Sequence, residues 1–237
     1  MKKFLSFALA LTLCASLAAC GNGGNTSGSD NTSSSGSGSS SQNQTSDMQY
    51  VKDKGTLVVG ITEFEPMDYQ DENGNWIGFD ADLASAFAQH LGVEVQFQVI
   101  DWDNKVMELD GKTIDVVWNG MTLNDEVKAA MECSNPYFDN AQVVIVPADK
   151  AAEYQTVESV QDLAFSVEVG SAAKAQAEEY GFNYTEAADQ ATALLEVSSG
   201  TADAAIIDYL MSVAMTGEGT SYADLTSTVS LNTEQYG

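Results

Sequence analysis

Residues 21–47 carry no aliphatic and no aromatic side chain; Ser, Gly, Asn and Thr supply nearly all of them. Such a segment has nothing to bury, so it cannot offset the entropy of ordering its backbone. Folding is thereby confined to the residues that follow, about 190 of them. That is enough for one large domain or two small lobes.

Ahead of this segment, Met1-Lys2-Lys3 is a positive start and Phe4 to Ala19 an uncharged apolar run. The run is shorter than the roughly 20 residues that span a bilayer, and it has the layout of a secretory signal. It ends Leu17-Ala18-Ala19-Cys20, which resembles a bacterial lipobox. The resemblance implies cleavage before Cys20 and lipidation of its thiol. A signal peptide over 1–19 and a tether over 20–47 are therefore expected. The tether would hold a soluble body at the extracytoplasmic face of the cell membrane, anchored by palmitate-type chains. Of the cysteines, Cys14 leaves with the signal and Cys20 is lipidated. Cys133 then remains alone, as a packing residue or a reactive thiol.

From residue 48 onward, 33 acidic side chains face seven lysines, and the whole chain has no arginine. Nucleic-acid phosphates and anionic lipid would be repelled, so nucleic acid is not an expected partner. A bidentate guanidinium clamp is excluded as well.

The body alternates strand and helix patterns. Leu57–Ile61 reads as a buried strand, Trp76–Phe79 as a short extended piece, and Asp80 as the cap of a helix to Leu91. Its apolar face would be Leu83, Ala84, Phe87, Ala88 and Leu91. Val93–Val99 alternates as a strand; a helix at Lys105–Leu109, a strand at Ile114–Trp118, a helix at Asp125–Met131 and a strand at Gln142–Val146 follow. A second unit has a helix at Val160–Leu163, a strand at Phe165–Glu168, a helix from Gly170-Ser171 to Tyr180, a helix capped by Asp189, a strand at Ala204–Ile207 and a helix at Tyr209–Met215. This is the order of an α/β fold. Two lobes are expected, at 48–146 and 147–228, joined near Val146–Lys150.

Several pieces of this body, in order, resemble the family 3 extracellular solute-binding proteins. They include Gly55-Thr56-Leu57-Val58-Val59-Gly60, Glu65-Pro66-Met67, Ile77-Gly78-Phe79-Asp80-Ala81-Asp82-Leu83 and Ile100-Asp101-Trp102. Asn119-Gly120-Met121-Thr122-Leu123, Val169-Gly170-Ser171 and Gly200-Thr201-Ala202-Asp203-Ala204 continue the series. The resemblance implies a two-lobed, periplasmic-binding-protein-like fold of type II that closes about a hinge on a polar amino acid or similar amine-bearing solute. It also implies a monomer that serves an ABC importer, without a cofactor. In relatives a strand after the second lobe returns to the first and a longer stretch completes that lobe, so 229–237 is expected to start the return strand and the C-terminal part of the first lobe to be missing here.

The same resemblance assigns site residues. Phe64 and Trp102 would sandwich the solute, although each also reads as a core aromatic. Asn119, Gly120 and Thr122 would hold its carboxylate and ammonium; Thr122 could equally cap the next helix. Ser171 and Ala172 open a helix whose N–H groups suit a carboxylate. Asp208 would take the ammonium, or cap the helix from Tyr209. Relatives place an arginine where this chain has Val127, so either the adjacent Lys128 turns inward, or backbone amides act alone, or the ligand lacks an α-carboxylate. Glu63 and Glu65 would favour a cationic side chain or would simply be solvated.

An enzyme is not expected. His90 is the single histidine, and no HExxH, CxxC or P-loop occurs. Cyclic-acid dehydratases on the same fold remain an alternative, as does a ligand-sensing lipoprotein that docks on a membrane receptor.

Overall fold

The computed structural model describes residues 46–237. The signal peptide, Cys20 and nearly all of the tether lie outside the described residues. Ser46 caps the first helix, α1 (Asp47–Lys54), by accepting from the Gln49 N–H at 3.2 Å. Helical structure therefore begins at the last residue assigned to the tether.

Three parallel strands form the first sheet. β1 (Thr56–Ile61) lies at its centre; the small hairpin of β2 (Tyr69–Gln70) and β3 (Trp76–Ile77) follows it. After α2 (Phe79–Leu91) comes β4 (Glu94–Val99), then a 3-10 turn at Trp102–Asn104, α3 (Lys105–Asp110) and β5 (Val116–Val117). The order is β4-β1-β5. One face packs Leu57, Val59 and Ile61 on Ala84 and Ala88; the other gathers Ile100, Trp102, Ile114, Val117 and Val127. Next, α4 (Asp125–Ala130) is capped by Asn124, whose Oδ1 accepts from the Val127 N–H at 2.8 Å. Thr122 is therefore not the cap.

β6 (Phe138–Asn140) leads out of this lobe, and β7 (Gln142–Pro147) already belongs to the second sheet. That sheet continues through α5 (Val157–Val160), β8 (Ala164–Glu168), α6 (Ala172–Tyr180), β9 (Asn183–Ala187) and α7 (Gln190–Ser198). It is completed by β10 (Ala204–Asp208), α8 (Tyr209–Met215) and β11 (Leu225–Ser230). Its order is β11-β7-β10-β8-β9. Alternate residues of β7 and β10 face opposite sides of the sheet. Val144, Val146, Ala204 and Ile206 enter one core, and Val143, Ile145, Ala205 and Ile207 the other. Strands buried on both faces need no polar alternation, which is why these runs are continuously apolar. Finally β12 (Glu234–Tyr236) pairs antiparallel with β6. Tyr236 sets its ring against the edge of Phe64 at 6.2 Å, and the Gly237 N–H donates to Met121 O at 3.1 Å.

Four expectations need correction. The crossover precedes Gln142 rather than following Val146, because β7 is bonded between β10 and β11. The return towards the first lobe is Glu234–Tyr236 alone, since β11 through Ser230 still belongs to the second sheet. Gly78, not Asp80, precedes α2; its buried face is Asp80, Ala81, Ala84 and Ala88, while Leu83 and Phe87 are exposed. Small alanines let the helix approach the sheet closely. The short second-lobe helix starts at Val157, because Thr156 and Ser159 form a reciprocal capping box there.

Candidate functional site

The two sheets face each other across a cleft of about 340 Å³. Phe64, Trp102, Asn119, Gly120, Thr122, Ser171, Ala172 and Asp208 all line it. Strand ends and the turns after them carry most of these residues, the usual address of a ligand in an α/β sheet.

On the first-lobe wall, Asn119 is a positioning residue. Its Oδ1 accepts from the Thr62 N–H (3.0 Å) and Thr62 Oγ1 (2.8 Å), and its Nδ2 donates to Thr62 O (3.1 Å) and Asp68 Oδ2 (2.8 Å). Its amide is thus fully used within the protein. Gly120 has φ +56, and a Cβ there would fall 2.6 Å from Phe64 Cε1. Its N–H donates to Asp80 Oδ2 at 2.6 Å, and Tyr137 Oη donates to the same oxygen at 2.9 Å. Buried Asp80 thus anchors the turn from behind. Burial pushes its carboxyl up, and it pushes that of neighbouring Asp68 up to about 8, with the charge of Asp80 adding. Phe64 and Trp102 are both core aromatics, 2% and 7% exposed, that also line the cleft. Thr122 Oγ1 donates to Glu234 Oε1 at 2.8 Å.

On the second-lobe wall, Ser171 caps α6. Its Oγ accepts from the Lys174 N–H at 3.2 Å and donates to Glu168 O at 2.7 Å. Ser171 and Ala172 line the cleft, and a helix start leaves its first-turn N–H groups without intrahelical partners. Asp208 ends β10 and makes no side-chain cap to α8. Its Oδ1 accepts from Asn140 Nδ2, Gln142 Nε2 (3.0 Å) and Tyr236 Oη (2.7 Å), and its Oδ2 from Gln190 Nε2 (2.6 Å). Burial, with the nearby charge of Glu234, still pushes its carboxyl up to about 7.

Three candidates fall elsewhere. Glu63 is exposed and does not line the cleft, and neither does Glu65. Lys128 is exposed and lines an adjoining depression with Cys133 and Gln176. It does not turn inward, because Val127 is the residue of α4 that is buried in the first-lobe core. Cys133 is half-buried and packs at the edge of that core.

Reading the sequence missed Lys105, Glu168 and Gln190, all in the cleft wall. Lys105 crosses the seam. Its Nζ donates to Trp102 O (3.1 Å) in its own lobe and to Gly170 O (2.9 Å) in the other, and it lies 4.8 Å from the centroid of the Trp102 ring. At the same contact Gly170 has φ +66, and a Cβ would come within 2.7 Å of the Asp103 Cα. Lobe-to-lobe approach there requires glycine. The only cue to these residues was that Glu168 ends a strand immediately before a Gly-Ser helix start. Among the described residues no group of three or more His, Cys, Asp and Glu side chains could hold a metal ion.

The profile of the bacterial extracellular solute-binding proteins, family 3, matches residues 57–196. The L-cystine-binding protein TcyJ of Escherichia coli K12 is 33% identical over 51% of this chain and 46% of its own length. The arginine-bound form of truncated ArgBP from T. maritima superposes with a TM-score of 0.74. It is 34% identical and covers 79% of this chain and 89% of that one. Cyclohexadienyl dehydratase of Pseudomonas aeruginosa is 27% identical over 49% of this chain and 44% of its own length. Most of the relatives are amino-acid-binding proteins. The chain spans about half the length of the first curated relatives it matches. Profile, superposition and the two-lobed α/β architecture agree, and the chain belongs to the bacterial extracellular solute-binding proteins, family 3.

Proposed function

We propose that this chain is the extracytoplasmic substrate-binding component of an ABC importer, tethered to the cell membrane through lipidated Cys20, and that it captures a polar amino acid between its lobes. The observation that carries the reading is the cleft itself. It offers a buried carboxyl group (Asp208) and a helix start (Ser171, Ala172) on one wall, and two aromatic side chains (Phe64, Trp102) with a polar turn on the other. An amino acid presents an ammonium, a carboxylate and a side chain, and each finds a complement there. Closure about β6 and β12 would bury the solute, and the closed form would dock on a permease. The kinship with binding proteins for cystine and arginine supports the solute class.

Calorimetry of the purified protein against the twenty amino acids and cystine is expected to yield at least one binder, whose addition raises the melting temperature in proportion to the logarithm of its concentration. Silence across that panel would remove the reading. Kinship with cyclohexadienyl dehydratase supports a second one, an enzyme acting on a cyclic acid, and consumption of prephenate would favour it. For the anchor, Cys20→Ser is expected to move the protein from the membrane fraction into the medium; unchanged fractionation would exclude a thiol-linked lipid.

A further inference from the structure

Glu168 ends β8 at the floor of the cleft and is 3% exposed. Its Oε1 has no hydrogen-bond partner among the described residues. A buried carboxyl oxygen without a donor costs stability, and the space it faces is the cleft.

The surroundings say which donor is missing. Asp208 faces Glu168 from β10, Asp189 from the cap of α7 and Lys105 from α3, with Gln190 as the neutral neighbour. Three carboxyl groups thus meet one ammonium. Two of that ammonium's three N–H groups donate to Trp102 O and Gly170 O. The other lysine of the cleft wall, Lys174, is paired outward with Glu186 at 2.7 Å. The cleft therefore has an excess of acid and an open acceptor. A ligand that brings a positively charged N–H group would satisfy both.

We propose that Glu168 is a specificity-determining residue that receives a guanidinium, imidazolium or ammonium on the side chain of the ligand. This rests on the amino-acid-receptor reading above and names the side-chain class. Burial, with the charges of Asp208 and Asp189, holds the Glu168 carboxyl well above the usual range, against the pull of Lys105. A cation beside it favours the ionised form and draws that carboxyl back down, so binding a cation is expected to release protons to the buffer.

The test is calorimetry of the full chain with L-arginine and with L-citrulline, its uncharged isostere, in two buffers of different ionisation enthalpy. The native protein is expected to prefer arginine by about tenfold or more, the worth of one charge-assisted hydrogen bond, and to release a proton on binding it. In Glu168→Gln, which preserves shape, the arginine-to-citrulline ratio is expected to fall close to one and the proton release to vanish. Melting curves confirm that the variant is folded. A ratio unchanged in Glu168→Gln would overturn the proposal, as would a native protein that prefers citrulline. A native protein that binds only amino acids with uncharged side chains would overturn it while leaving the receptor reading intact. Binding of no amino acid at all would remove both.

Discussion

Asp208→Ala is expected to destabilise the folded body by about 3–5 kcal/mol, the range for removing one partner from a buried polar network. The side chain accepts hydrogen bonds from Asn140, Gln142, Gln190 and Tyr236, and all four residues are themselves at most 7% exposed. Alanine would take one acceptor from each of the four donors; Asn140 and Gln142 would keep only Glu234, and the buried Tyr236 hydroxyl would lose its acceptor. Folded proteins hold only about 5–15 kcal/mol in total, so the loss is a large share. The melting temperature should fall by about 10 °C or more. The same donors connect β6, β7, α7 and β12, so the carboxyl group is a structural node as well as a candidate contact for the ligand. Urea unfolding of the variant checks this, and a midpoint within error of the native protein would show that the network carries no net energy.

The second large effect is expected from pH. Asp68 and Asp208 ionise near pH 3.8 when unperturbed, but burial moves them to about 8 and about 7. Asp80 and Glu168 are pushed in the same direction. Between about pH 4 and pH 8 the folded state thus keeps protons that the unfolded chain has released. Stability must fall as pH rises through that window and level off above it. Self-repulsion at a formal charge of −26 acts with the same sign. A melting temperature about 10 °C lower at pH 8 than at pH 5 corresponds to a loss of a few kcal/mol. A melting temperature that rises across the interval would show that these acids are ionised in the fold.

Much of the site was legible because its residues sit in short motifs at strand ends. Asn119-Gly120 and Gly170-Ser171 mark turns whatever the chain around them does. The roles within those motifs were less legible. Asn119 and the Gly120 N–H looked like ligand contacts, yet their bonds go to Thr62, Asp68 and Asp80. Those partners lie some 40 to 57 residues away in sequence, a separation that no local pattern reports. Lys105 and Glu168 escaped notice for a different reason. In a chain of 35 acids and nine lysines, a single charge reads as surface until packing shows it buried. The fold has the same split. Alternation located the strands, but a fully buried strand such as β7 suits either sheet, and only its antiparallel partners decide.

The ribbon of β6 and β12 bears on the order in which the ligand seat is assembled. Asn140 and Asp208 leave the ribosome well before Tyr236, whose hydroxyl closes their network. Until that tyrosine docks, the cleft residues Phe64 and Asp208 lack the partner that packs behind them. A chain that has not yet paired β12 with β6 would therefore carry an unfinished site, and competence to hold a solute would come only once Tyr236 had docked.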